Sequence, residues 1–121
     1  MKPVAIRGAV TVENDTADEI KQASVEMVRK IVETNDINRD DIIMVFLTMT
    51  QDLTSFNASS AIRLGLDWGD VPFFTSQEPF IVGGLEKCIR VLIQVQSTKT
   101  KNDINHVYLG NAAHLRPDLK E

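Results

Sequence analysis

The chain has 121 residues, 43% hydrophobic and 25% charged, with a net charge of −4 and a single cysteine. That balance suits one globular domain over residues 1–121, long enough to bury roughly two-thirds of the surface its unfolded form exposes. It lacks the basic stripe of a nucleic-acid binder and the roughly 18-residue apolar run of a membrane span, and with Met1-Lys2-Pro3 leading into a strand-like segment no signal peptide is expected. With Cys88 alone there is no internal disulfide, and a cytoplasmic setting is the expectation.

Val4 to Glu13 alternates, with Val4, Ile6, Gly8, Val10 and Val12 on one face and Ala5, Arg7, Ala9, Thr11 and Glu13 on the other. That is the pattern of a half-buried strand. Thr16 to Glu19 reads as a capping box opening a helix, whose apolar face carries Ile20, Ala23, Met27, Val28, Ile31 and Val32 and which ends near Asn35. Ile42 to Thr50 is nearly continuous in apolar character, as expected of a central strand covered on both faces. Ser55 to Gly65 suits a short helix, Val71 to Thr75 a strand, Gly83-Gly84 a turn, Cys88 to Gln96 a strong strand and His106 to Leu109 a last short one. The order implies a mixed sheet with one long helix packed on it, an α/β (α+β) fold.

Phosphate-loop, zinc-ligand and nucleophile-elbow patterns are missing, and His106 and His114, eight positions apart with no second cysteine, read as ordinary strand and loop residues. The arginines carry more information. Of six, Arg7 and Arg90 sit inside strands among Val, Ile and Leu, where a permanent charge is costly unless something anionic meets it. A core carboxylate or a sheet edge would satisfy either one. Together with Arg63 and Arg116 near turns and Glu78 after a strand, they suit a pocket for a small dianion bearing a hydroxyl, since guanidinium forks bind carboxylates in bidentate fashion. Spacing alone goes no further than a pocket for a small organic acid.

Ala5-Ile-Arg-Gly-Ala9 with Thr11-Val12, Asp52-Leu53, Ala61 with Arg63, Trp68, Val71-Pro72, Glu78, Gly83-Gly84-Leu85, Cys88-Ile-Arg-Val91, His106-Val-Tyr-Leu109 and Leu115-Arg-Pro-Asp-Leu119 run in register over essentially the whole chain. The ordered set resembles the trimeric AroH-type chorismate mutases. The resemblance implies a mixed five-stranded sheet in each subunit and a homotrimeric pseudo-α/β-barrel with active sites between subunits. It also implies a cofactor- and metal-free isomerase of phenylalanine and tyrosine biosynthesis that rearranges chorismate to prephenate. By the same resemblance Arg90, Arg7 and Glu78 form the catalytic set. Tyr108, Arg63, Phe74, Thr75, Ser76 and Gln77, with Asn57, Leu115 and Arg116, complete the substrate contacts.

Three positions depart from the family pattern. The family usually reads Phe-Pro-Ala shortly before the alanine at Ala61, whereas Phe56-Asn57-Ala58-Ser59-Ser60 puts the aromatic one position early and has no proline. Ser60 stands where a charged residue is common, and Thr75 where cysteine or serine is common. Two other readings fit a small-acid pocket: a non-catalytic relative that binds without turnover, and a trimeric enamine/imine deaminase working through an activated water.

Overall fold

The computed structural model describes residues 1–114. Five strands form one sheet: β1 (Lys2–Thr11), β2 (Ile42–Met49), β3 (Phe73–Gln77), β4 (Cys88–Ser97) and β5 (Val107–Leu109). Their order is β3-β2-β4-β1-β5. β4 runs antiparallel to both its neighbours, while β2/β3 and β1/β5 are parallel. Parallel neighbours need a crossover. For β2 and β3 it is the short helix α2 (Ala58–Gly65); the long helix α1 (Ala17–Asn35) follows β1.

Both helices cover one face of the sheet. Ile20, Met27, Val28 and Ile31 of α1 and Ile62 of α2 join Ile6, Val45, Leu47, Ile89, Val91, Ile93 and Val107 in one buried cluster. Each such side chain, moved from water into that cluster, contributes roughly 1.5–3 kcal/mol. Gly8 has no side chain for a packing reason: a Cβ there would lie 2.7 Å from Ile31 Cδ1 and 3.0 Å from Val91 Cγ1. The alternation of β1 holds, with Ile6 and Val10 inside and Arg7 outside.

Two expectations change. Thr16 does cap α1, its hydroxyl accepting from Glu19 N–H at 3.2 Å. The Glu19 carboxylate, however, reaches past the cap to the N–H groups of Glu13 (3.2 Å) and Asn14 (3.1 Å), tying the end of β1 to the helix rather than closing a capping box. β2 is neither the central strand nor covered twice. Its burial alternates, Val45, Leu47 and Met49 lying under the helices while Met44, Phe46 and Thr48 face the other way. No described α-helix covers that second face; only the short 3-10 turn Gly110–His114 packs on it, where Ala112 covers Ala9 and Cys88, and Leu92 stays 39% and Phe74 69% exposed.

The far end of α1 fixes the last strand. Asp36 ends the helix in the left-handed region (φ 52°, ψ 52°), which aspartate tolerates better than most residues. Asn35, buried beside it, donates from Nδ2 to Ile31 O (2.9 Å) and Asn105 O (2.8 Å) and accepts from Asn105 N–H at 2.8 Å. This amide therefore docks the chain just ahead of β5. His106 follows, its Nδ1 accepting the Arg7 N–H at 2.9 Å. Asn35→Ala would remove the hydrogen bonds of a buried amide to Ile31 and Asn105, a loss of about 1–3 kcal/mol. The expected outcome is an unfolding free energy, measured in urea, lowered by that amount; an unchanged value would mean the amide stabilises nothing.

Candidate active site

The open face of the sheet brings chemistry together through register. Ala9 lies opposite Arg90 on one side and Tyr108 on the other. Thr48 faces Arg90 across the β2/β4 pair, and Arg7 faces Leu92. Directly opposed residues project to the same side of a sheet, so two arginines, a tyrosine and a threonine share one surface. The small Ala9 leaves a hollow between them. A cavity of about 330 Å³ occupies it, lined by Arg7, Ala9, Phe46, Thr48, Glu78, Arg90, Leu92 and Tyr108.

Arg90 does have a partner within its own chain. Its Nε sits 2.5 Å from Glu78 Oε1 in an ion pair whose arginine side chain is 39% exposed and whose glutamate is 17% exposed. The same carboxylate oxygen accepts from Thr48 Oγ1 at 3.0 Å. The backbone of Glu78 is held as well: its N–H donates to Met49 O (2.9 Å), and its carbonyl accepts from Gln51 Nε2 at 3.3 Å. The pairing uses only part of each group. Glu78 Oε2 and the two terminal nitrogens of Arg90 make no hydrogen bond among the described residues, and no ion pair there reaches Arg7. The site thus offers two guanidinium forks and one unused carboxylate oxygen.

A larger cavity of about 540 Å³ lies on the other side of the same ion pair, beside Asp52, Phe80, Ile81, Gly83, Leu85 and Glu86. Charge separates the two. The larger cavity sets one arginine against Asp52, Glu78 and Glu86, whereas the smaller sets two against Glu78 alone. Only the smaller suits a dianion. Cys88, two positions from Arg90, is buried beside Ala9 and Ala112. Burial pushes its thiol up to about 11 against the downward pull of Arg90, so it stays protonated at neutral pH and is no nucleophile.

The other residues singled out from the sequence lie elsewhere in the same chain. Asn57 caps α2, its Oδ1 accepting from Ser59 N–H (2.8 Å) and from Thr75 Oγ1 (3.1 Å). The Ser59 and Thr75 hydroxyls are hydrogen-bonded to each other, so Thr75 points to the helix-covered side. Arg63 is exposed in the last turn of α2. Phe74 and Ser76 are exposed on the edge strand, Phe74 packing at 6.0 Å from the Phe46 ring, and Gln77 ends β3 in the open. Phe56 is half-buried against the core, with the Lys21 ammonium 4.6 Å from its ring centre. Leu115 and Arg116 fall outside the described residues.

Sequence reasoning missed Thr48, Phe46 and Leu92, whose membership depends on strand register. No group of three or more metal-ligating side chains occurs among the described residues, and no described helix is long and apolar enough to cross a membrane.

Comparison with known proteins places this geometry in a family. The family described as "Chorismate mutase type I" matches residues 4–119. Chorismate mutase AroH of Bacillus subtilis is 42% identical over 114 residues, covering 94% of this chain and 90% of that protein. Chorismate mutase AroH of Thermus thermophilus is 40% identical over 117 residues, covering 95% and 94%. Among solved structures, a chorismate mutase from Clostridium thermocellum superposes with a TM-score of 0.87 at 39% identity, covering 90% of this chain and 96% of that one. The chain therefore belongs to the chorismate mutase type I family.

Proposed function

We propose that residues 1–121 act as one domain that rearranges chorismate to prephenate in the cytosol, as a homotrimer with its active sites between subunits. The observation that carries this reading is the open-face cavity. Arg7, Tyr108 and the unpaired nitrogens of Arg90 meet there with the unused oxygen of Glu78. Those groups complement a dicarboxylate that also bears a hydroxyl.

The rearrangement is unimolecular: a C–O bond breaks and a C–C bond forms, with no nucleophile and no proton transfer. Two effects remain for the protein to supply. Arg7 and Tyr108 hold the side-chain carboxylate so that the enolpyruvyl arm lies over the ring, and Glu78 Oε2 accepts from the ring hydroxyl; both restrict the substrate to reactive geometry. Arg90 donates to the ether oxygen as negative charge builds there ahead of C–C bond formation, in a setting where the donor is already oriented.

The trimer is supported by what one chain leaves open. Phe74 and Leu92 are exposed beside the cavity on a face that α1 and α2 leave open, a patch that suits burial against another copy. Arg63, Asn57 and Thr75 lie by α2 and the opposite edge strand, where a neighbouring subunit's cavity could take them up.

Arg90→Met should lower kcat by about a hundred- to a thousandfold while weakening substrate binding far less, because the charge it meets exists chiefly in the transition state. Equal losses in the two, read from prephenate formation and from equilibrium binding, would sink the assignment. Turnover should vary by less than about twofold between pH 7 and 9, since no group changes protonation in the cycle and Cys88 titrates only near 11. A bell-shaped profile across neutrality would point to acid–base chemistry instead. Light scattering should return three chain masses, and a monomer with full activity would remove the shared site. Binding of chorismate without turnover would favour the non-catalytic reading.

A further inference from the structure

The backbone of Glu78 is fixed at both its N–H and its carbonyl, but those anchors leave the side-chain torsions free. The carboxylate and its arginine also stand on a divide. Glu78 and Arg90 line both the smaller cavity and the larger one, so the pair has room to lean either way. Thr48 lines only the smaller cavity, and its hydroxyl meets the very oxygen that accepts Arg90 Nε. Thr48 also lies directly opposite Arg90 across the β2/β4 pair, which gives its hydroxyl a position set by the sheet itself.

We infer that Thr48 is a positioning residue for the rearrangement: its hydroxyl holds Glu78 Oε1 on the smaller cavity's side, and through that oxygen aims the terminal nitrogens of Arg90 at the substrate. The inference rests on the proposed chorismate mutase activity. The hydroxyl donates its proton to a carboxylate, a charge-assisted bond stronger than a neutral one. It occupies Oε1 together with Arg90 Nε, so the direction of Oε2, the acceptor left for a ring hydroxyl, is fixed as well. Without it the carboxylate keeps Arg90 but loses the contact that selects one cavity. Displacements of about 1 Å at a reacting centre can cost about a hundredfold in rate, so a partial loss of aim is expected to be felt in turnover.

The test compares Thr48→Val, Thr48→Ala and Thr48→Ser, each alone, with Thr48→Val also placed in a Glu78→Ala background. Prephenate formation is measured against the spontaneous rate, alongside melting temperature. Thr48→Val and Thr48→Ala should each lower kcat about tenfold, with KM changed by less than about twofold. Thr48→Ser, which keeps the hydroxyl, should stay within about twofold of wild type. In the Glu78→Ala background Thr48→Val should cost nothing further, because its partner is gone.

The inference is overturned if either hydroxyl-free variant retains wild-type kcat, whatever its melting temperature, or if Thr48→Ser is as slow as Thr48→Val. A full loss persisting without Glu78 overturns it too. A wild-type protein that fails to accelerate the rearrangement would bring down the proposed function itself, and this inference with it.

Discussion

The ion pair between Arg90 and Glu78 depends on the order and register of three strands at once. A guanidinium on the middle strand of a five-stranded sheet sits where full burial would be costly and full exposure would leave it screened by water. The structure takes an intermediate course. Glu78, from the end of an edge strand two positions away in the sheet, meets Nε and leaves the terminal nitrogens unpaired. That geometry needs β3 beside β2 and β2 beside β4, in one register, with β3 ending where it does. The β2–α2–β3 crossover provides it, and the apolar undersides of those strands, packed on α1 and α2, hold the register. A one-residue slip of β4 would turn Arg90 into the helix-covered core and Val91 onto the open face.

Local pattern revealed the parts of this arrangement but not their assembly. The alternation of β1, the apolar stripe of α1 and the run at Cys88 are each short-range features, and they appear in the structure within two residues of where the sequence puts them. Arg7 and Arg90 were legible as anomalies for the same reason, being charges inside strands. Thr48 was not, since a threonine in an apolar strand is unremarkable until its cross-strand partner is known. The Glu19 carboxylate was misread because a capping box and a link back to Glu13 and Asn14 start from the same four residues.

β2 departs from its sequence pattern in a more instructive way. Met44 and Phe46 are as apolar as Val45 and Leu47, so the sequence suggested cover on both faces. Hydrophobicity reports that a side chain is kept from water but not which chain covers it. Within one chain α1 and α2 cover one face fully, while around Phe46, Phe74 and Leu92 the other stays open. The same confusion attaches to Asn57, Arg63 and Thr75, which resemble site residues in the sequence yet lie by α2 and the edge strand, away from their own chain's cavity.

Polar clamps in the loops hold the strand ends that carry the site, and they divide the pH range in a telling way. Asp52 accepts from Lys87 N–H at 2.9 and 3.2 Å, just ahead of β4. Asp15 binds Thr54 and Ser55; partial desolvation pushes its carboxyl upward, but the hydrogen bonds from those two residues outweigh it and hold it below its ordinary 3.8. Glu19 is held below its ordinary 4.5 chiefly by the Asn14 backbone, and Asp103 below 3.8 chiefly by that of Thr100. A carboxyl depressed on folding stabilises the fold above its unfolded value and ceases to do so as pH falls through the folded one, so the clamps at Asp15, Glu19 and Asp103 weaken in acid. Cys88 works in the opposite sense: its thiol is raised from 9.0 to about 11 by burial, and the stability tied to keeping it protonated fades as pH climbs through that interval. Between these limits none of these four groups titrates, and a unimolecular rearrangement requires none to. The outer edges of the fold's stability are then set by its own anchors, and a proposed chemistry that relies on the fixed charge of an arginine asks nothing of them.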